Sequence, residues 1–164
     1  MIVVSDTSAI ANLAVVDHFW LLQATYKSVV IPEAVASEIA VATNPKISLI
    51  LQLDWIQTRL PSPPSYQLAE QLQRERGLDY GEAHAIALAL DLQADDLLMD
   101  DRLGRRETTR LGLSIVGILG VLLVAKQINL IPQVKPIIDS LINQTGFRVS
   151  SQLYERIITF AQEI

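Results

Sequence analysis

The chain has 164 residues, half of them apolar and 19% charged, and its 13 basic and 18 acidic side chains leave a formal net charge of −5. This composition excludes intrinsic disorder, and the lack of cysteine excludes disulfide scaffolds, thiolate metal sites and cysteine nucleophiles. The deficit of cations also excludes a general nucleic-acid coat, which needs a basic face, so phosphate has to be met by a local basic patch or by metal ions.

Met1 to Ser5 carries Ile2, Val3 and Val4, β-branched residues suited to a strand buried on both faces. Thr7 to Val16 and Phe19 to Ala24 are rich in Ala, Leu and Val without alternation and predict two short helices separated at Asp17 and His18. Val29 to Ile31 is a second strand. Pro32 opens a helix to about Thr43, stopped by Asn44 and Pro45. Trp55 to Thr58 is a third strand, and Pro61 to Ser65 a loop. Then come a helix over Tyr66 to Glu75 ended by Gly77, an alanine-rich helix over Gly81 to Leu92, and a strand over Asp96 to Met99. A helix over Arg102 to Leu111 closes at Gly112, and Leu113 to Val116 is a last strand. Three helices follow, over Leu119 to Gln127, Val134 to Asn143 and Ser151 to Gln162.

Strands alternating with helices predict a parallel sheet covered on both faces, a three-layer α/β domain. The longest uncharged run, Leu111 to Ala125, has 15 residues broken by Gly112, Ser114, Gly117 and Gly120. That falls short of the roughly 20 apolar residues a membrane span needs. The start MIVVSDTSAI lacks the basic segment of a signal peptide. The expected compartment is the cytoplasm.

Asp6 lies just past the first strand, and Asp100 and Asp101 lie just past the strand Asp96 to Met99. In open α/β sheets the ligand crevice forms outside the carboxyl ends of the strands, so these acids are expected to face one crevice. If the strands are neighbours, about 4.8 Å apart, the carboxylates come close enough to share a divalent ion. The bland reading makes Asp6 a helix N-cap and the Asp100, Asp101 pair a solvated loop. Glu82 reads two ways: with Ile86 and Leu90 it extends an apolar stripe, where a carboxylate needs a partner or a metal, or it closes a capping box with Asp79. Glu38 sits on a helix, where an acid is usually just solvated. Arg102, Arg105, Arg106 and Arg110 directly follow the acids and suit phosphate, or else form a solvated face.

Taken in order, VVSDTSAIANLA, VIPEAVASEIA, GLDYGEAHAIALAL, LLMDDRLGRR and LGLSIVGILGVLLVAK resemble the PIN-like domain family, and more closely a little-characterised prokaryotic subgroup related to toxin–antitoxin ribonuclease toxins. The resemblance covers Met1 to Lys126, and the ending GFRVSSQLYERII is also similar. It implies one PIN-like domain over 1–164, with a core of 1–126 and C-terminal helices in 127–164. The implied fold is an α/β/α sandwich around a parallel sheet. The implied catalytic quartet is Asp6, Glu38, Glu82 and Asp101, with Mg²⁺ or Mn²⁺ held by Asp6, Glu82, Asp100 and Asp101. Ser8 matches the family's small hydroxyl residue; Arg102, Arg105 and Arg106 are the expected substrate contacts from their place after the acids alone, with a solvated face as the alternative. Two departures stand out. Glu82 replaces the more usual Asp, and Leu103 and Gly104 occupy a stretch where many active members carry another acid, which leaves the first metal site intact and the second short.

The expected function is therefore a metal-dependent ribonuclease acting on RNA phosphodiesters, and the resemblance implies the toxin of a toxin–antitoxin pair. The alternative is a catalytically weak or inactive PIN-like module that binds nucleic acid or protein. A small antitoxin and a homodimer are the partners the resemblance implies, with Ile118 to Ala125 and the late helices as the place to look for the dimer surface. A phosphatase with Asp6 as nucleophile lacks the usual second Asp two residues on, where Ser8 stands. His18 and His84 have no triad partner at an informative spacing and are assigned to packing or surface.

Overall fold

The computed structural model describes residues 1–163. Its strands are β1 (Val3–Ser5), β2 (Val29–Pro32), β3 (Ile56–Arg59), β4 (Asp96–Leu98) and β5 (Ile115–Val116). They pair in parallel in the order β3-β2-β1-β4-β5. The chain thus builds outward from β1 to β3 on one side and then returns to place β4 on the other. The reversal of direction lies between β1 and β4, where an open α/β sheet forms its crevice.

Period-two alternation along the central strands separates two cores. Val3, Val29, Ile31 and Leu98 point into the larger one, with helices α1 (Thr7–Val15), α2 (Trp20–Tyr26), α3 (Glu33–Ala40), α8 (Ile118–Gln127) and α9 (Lys135–Thr145). Val4, Val30, Leu97 and Met99 point into the other, beneath α5 (Pro63–Arg76) and α6 (Tyr80–Asp91). The three-layer expectation holds. Alanine suits α6 because eight of its residues are buried and the helix has to lie close to the sheet.

Element boundaries moved where local chemistry competes. Pro32 does not begin a helix: it ends β2 and is the extended N-cap of α3, which stops at Ala40. A short α4 (Pro45–Ser48) and a 3₁₀ turn (Leu49–Gln52) follow, where no element is predicted. The expected loop through Ser65 is already helical from Pro63, because the Ser62 hydroxyl accepts from the Ser65 N–H and proline suits the first turn. The late helices are α7 (Arg102–Arg110), α8, α9 and α10 (Ser151–Phe160). Ile118, Val121, Leu122 and Ala125, expected at a dimer surface, are buried in the core. Among the described residues no helix is long and apolar enough to cross a membrane.

The tail is fastened by polar contacts. Glu163, itself buried, accepts from the Val134 and Lys135 N–H groups at 2.8 and 3.0 Å and pairs with Lys126 at 2.9 Å. The Tyr154 hydroxyl joins α10 to α9 by donating to Asp139 at 2.6 Å.

Candidate functional site

Ser5 pairs in register with Leu98, and the Asp6 N–H donates to the Leu98 carbonyl at 3.1 Å. The sheet itself therefore sets Asp6 beside the end of β4, from which Asp100 and Asp101 emerge. Asp6 is the N-cap of α1, its Oδ1 accepting from the Ala9 N–H at 3.0 Å, and it also lines a small acidic pocket with Glu38, Asp79 and Glu82. Its Oδ2 has only a long contact from the Ser8 hydroxyl, 3.4 Å. Burial pushes the Asp6 carboxyl up to about 8; the Ala9 N–H opposes this, and repulsion from Asp100 and Glu82 adds to it.

The Asp100, Asp101 pair is not a solvated loop. Both Asp100 oxygens accept from the Ile118 N–H at the start of α8, at 3.1 and 3.2 Å. Burial raises the Asp100 carboxyl, with that N–H and Arg105 acting against it. Gly117 leaves room for this arrangement: a Cβ there would stand 2.6 Å from Asp100 Oδ1 and 2.7 Å from Arg105 Nη1, so a larger residue displaces one of these two side chains. Asp101 is the N-cap of α7, accepting from the Gly104 N–H at 2.9 Å.

The capping-box reading of Glu82 holds: it closes the capping box of α6 with Asp79, and the same carboxylate is also turned to the cavities beside Asp6 and Asp101. Burial, then repulsion from Asp79 and Asp101, pushes its carboxyl up to about 7. Glu38 is half-buried rather than solvated: it accepts from the Thr7 hydroxyl and lies against Gly81.

Two connected spaces hold these groups. A pocket of about 210 Å³ is lined by Asp6, Thr7, Ser8, Glu38, Asp79 and Glu82. A crevice of about 1390 Å³ is lined by Ser8, Asn12, Glu82, Asp100, Asp101 and Arg102 together with residues between Ile142 and Leu153. Arg105 lines a neighbouring cavity together with Asp100, whereas Arg106 is exposed on α7 and lines neither. The sequence reading missed Thr7 and Asn12, which a helical spacing from Asp6 and Ser8 could have found, and it missed Arg148, whose place depends on tertiary structure.

Among the described residues no three His, Cys, Asp or Glu side chains stand together as a ready-made metal cage. Mg²⁺ does not require one, because it is often held by one or two carboxylates and keeps several waters. Hard oxygen donors that repel one another around a water-accessible crevice fit such an ion; a soft-metal site is excluded by the donor chemistry.

A sequence profile of the family described as PIN domain matches residues 2–163. No curated protein matches the chain.

Proposed function

This chain belongs to the PIN domain family, which has a nuclease-type fold, and from that premise we propose that it is a Mg²⁺- or Mn²⁺-dependent ribonuclease hydrolysing RNA phosphodiester bonds. One observation carries the reading. Asp6, buried at the end of β1, shares the reversal point of the sheet with Asp100 and Glu82, and both raise its carboxyl. Unpaired buried carboxylates are unfavourable, and clusters of them with shifted protonation mark functional sites.

Asp6, Glu82, Asp100 and Asp101 would hold the ion. When bound, Mg²⁺ or Mn²⁺ supplies Lewis acidity and charge neutralisation to phosphodiester hydrolysis. Asp6 is fixed by the sheet and the Ala9 N–H, and Ser8 steadies its second oxygen. Thr7 holds Glu38 at the edge of the same pocket. Arg102 and Arg105 flank the acids and supply guanidinium forks to substrate phosphates, while Arg106 is left outside the proposed contact. A toxin role, a small antitoxin over the crevice and a homodimer rest on the resemblance of the motifs alone.

The test is incubation of the chain with single-stranded RNA in Mn²⁺ or Mg²⁺. Cleavage is expected, and both EDTA and Asp6→Asn abolish it; cleavage that survives both overturns the proposal. The lack of a closed three-acid cage among the described residues favours a second reading, a module that binds without turnover. Tight RNA binding with no cleavage in either ion selects it.

A further inference from the structure

The segment GFRVSS is absorbed by none of the roles above, yet it lines the same crevice as the acids. Its path is fixed at both ends. Gly146, at φ 70°, adopts the left-handed conformation that ends α9, and the Thr145 hydroxyl accepts from the Phe147 N–H at 3.2 Å. Three residues on, the Ser150 hydroxyl accepts from the Leu153 N–H at 3.1 Å and starts α10. Between these anchors Phe147 and Val149 are half-buried against the core and Arg148 is exposed.

Arg148 lines the crevice together with Asp100, Asp101 and Glu82, and it also lines a cavity of about 550 Å³ with Asp100 and Arg105. Among the described residues it forms no ion pair with any of these acids; the pairs formed lie elsewhere. A cation held near several carboxylates but bonded to none keeps its planar fork of donors for another anion, and phosphate matches that fork. An acidic wall alone repels a polyanion. A guanidinium lining the same crevice gives the strand a favourable contact.

We infer that Arg148 is a substrate-binding residue that seats the phosphodiester backbone of single-stranded RNA in the crevice it lines with the acids. This rests on the ribonuclease reading above. The test uses the Asp6→Asn chain in Mg²⁺, so that binding is read without cleavage, and measures fluorescence anisotropy of a labelled single-stranded RNA oligonucleotide over a range of KCl concentrations. Adding Arg148→Gln is expected to weaken binding about tenfold. It is also expected to reduce the slope of log affinity against log salt by about 0.7, the loss of one phosphate contact on a single strand. Arg148→Lys is expected to restore the slope but only part of the affinity, because it keeps the charge and not the fork. In the chain with Asp6 intact, Arg148→Gln is expected to raise KM with kcat little changed. An unchanged slope and affinity in Arg148→Gln, with the parent chain binding RNA, overturns the assignment of Arg148 and leaves the ribonuclease reading standing. No RNA binding by the parent chain overturns both.

Discussion

The Glu38 carboxylate rests against the backbone of Gly81 so closely that a Cβ at position 81 would stand 2.7 Å from its Oε1 and 2.8 Å from its Oε2. This contact joins α3 to the first turn of α6 and holds Glu38 where the Thr7 hydroxyl can reach it. Gly81→Ala therefore has two opposed effects. The helix gains up to about 1 kcal/mol in propensity, and the Glu38 side chain, being flexible, swings aside at little cost. The expected outcome is a thermal midpoint within a few degrees of the parent and RNA cleavage reduced on the order of tenfold or more. Full activity with Ala at 81 shows that the position of Glu38 does not matter to turnover.

Protonation couples the acids to stability. The Asp6 carboxyl, ordinarily at 3.8, is pushed up to about 8 in the fold by burial, and Glu82 moves from 4.5 to about 7 in the same sense. The folded state therefore binds more protons than the unfolded state between these limits. Stability is fullest below about pH 4 on this account and falls as pH rises through about 7 to 8, because unfolding releases the buried charge to water. Urea unfolding of the metal-free chain is expected to show that decline. Asp6→Asn removes most of it and raises the midpoint at pH 8, while Mg²⁺ stabilises the parent most at the alkaline end. A flat profile in the parent chain contradicts this electrostatic account.

How far the sequence disclosed the site follows from the range of the signals involved. Asp6, Asp100 and Asp101 are legible because each sits directly after a β-branched or apolar strand, and strand ends in a parallel sheet converge on one edge. The two cores are legible for the same reason, since Val3 and Val4 have to point to opposite faces. Glu82 remained divided between a capping box and the crevice because both depend on the same first turn of α6, and only the packing of that turn beside Asp6 shows that one carboxylate does both. Glu38 and Arg148 carry no local signal. Each gains its place from residues far along the chain: Glu38 from Thr7 and Gly81, Arg148 from the turn between α9 and α10 that lines the crevice with Asp100 and Asp101.

That return path depends on Glu163. Burial pushes its carboxyl up, but the Val134 N–H, Lys126 and the Lys135 N–H outweigh this and hold it below the ordinary glutamate range. Glu163→Ala leaves the Lys126 ammonium only the Ala161 carbonyl and removes the acceptor of the first N–H groups of α9, and is expected to cost about 2–4 kcal/mol, a fall in midpoint on the order of 10 °C. Since the folded value is lowered, this contribution is present above 4.5 and disappears as pH falls through the folded value. The gap between parent and variant is therefore expected to narrow in acid. Hydrogen exchange is expected to quicken in α9 and α10 before β1 or β4. Equal stability of parent and variant at neutral pH removes Glu163 as the fastening.

The arginines of α7 separate by position. Arg102 lines the crevice beside Asp101, and Arg106, four residues on, lies on an exposed face that lines neither cavity. Both carry the same charge on the same helix, so any difference between them measures reach into the crevice rather than the overall field. Arg102→Ala is expected to raise KM for RNA about tenfold, in line with the loss of a charge-assisted hydrogen bond. Arg106→Ala is expected to change KM less than about twofold, the scale of a screened surface charge. Steady-state cleavage at two salt concentrations decides the matter: equal effects at both positions mean that RNA tracks along the outer face of α7 and not through the crevice.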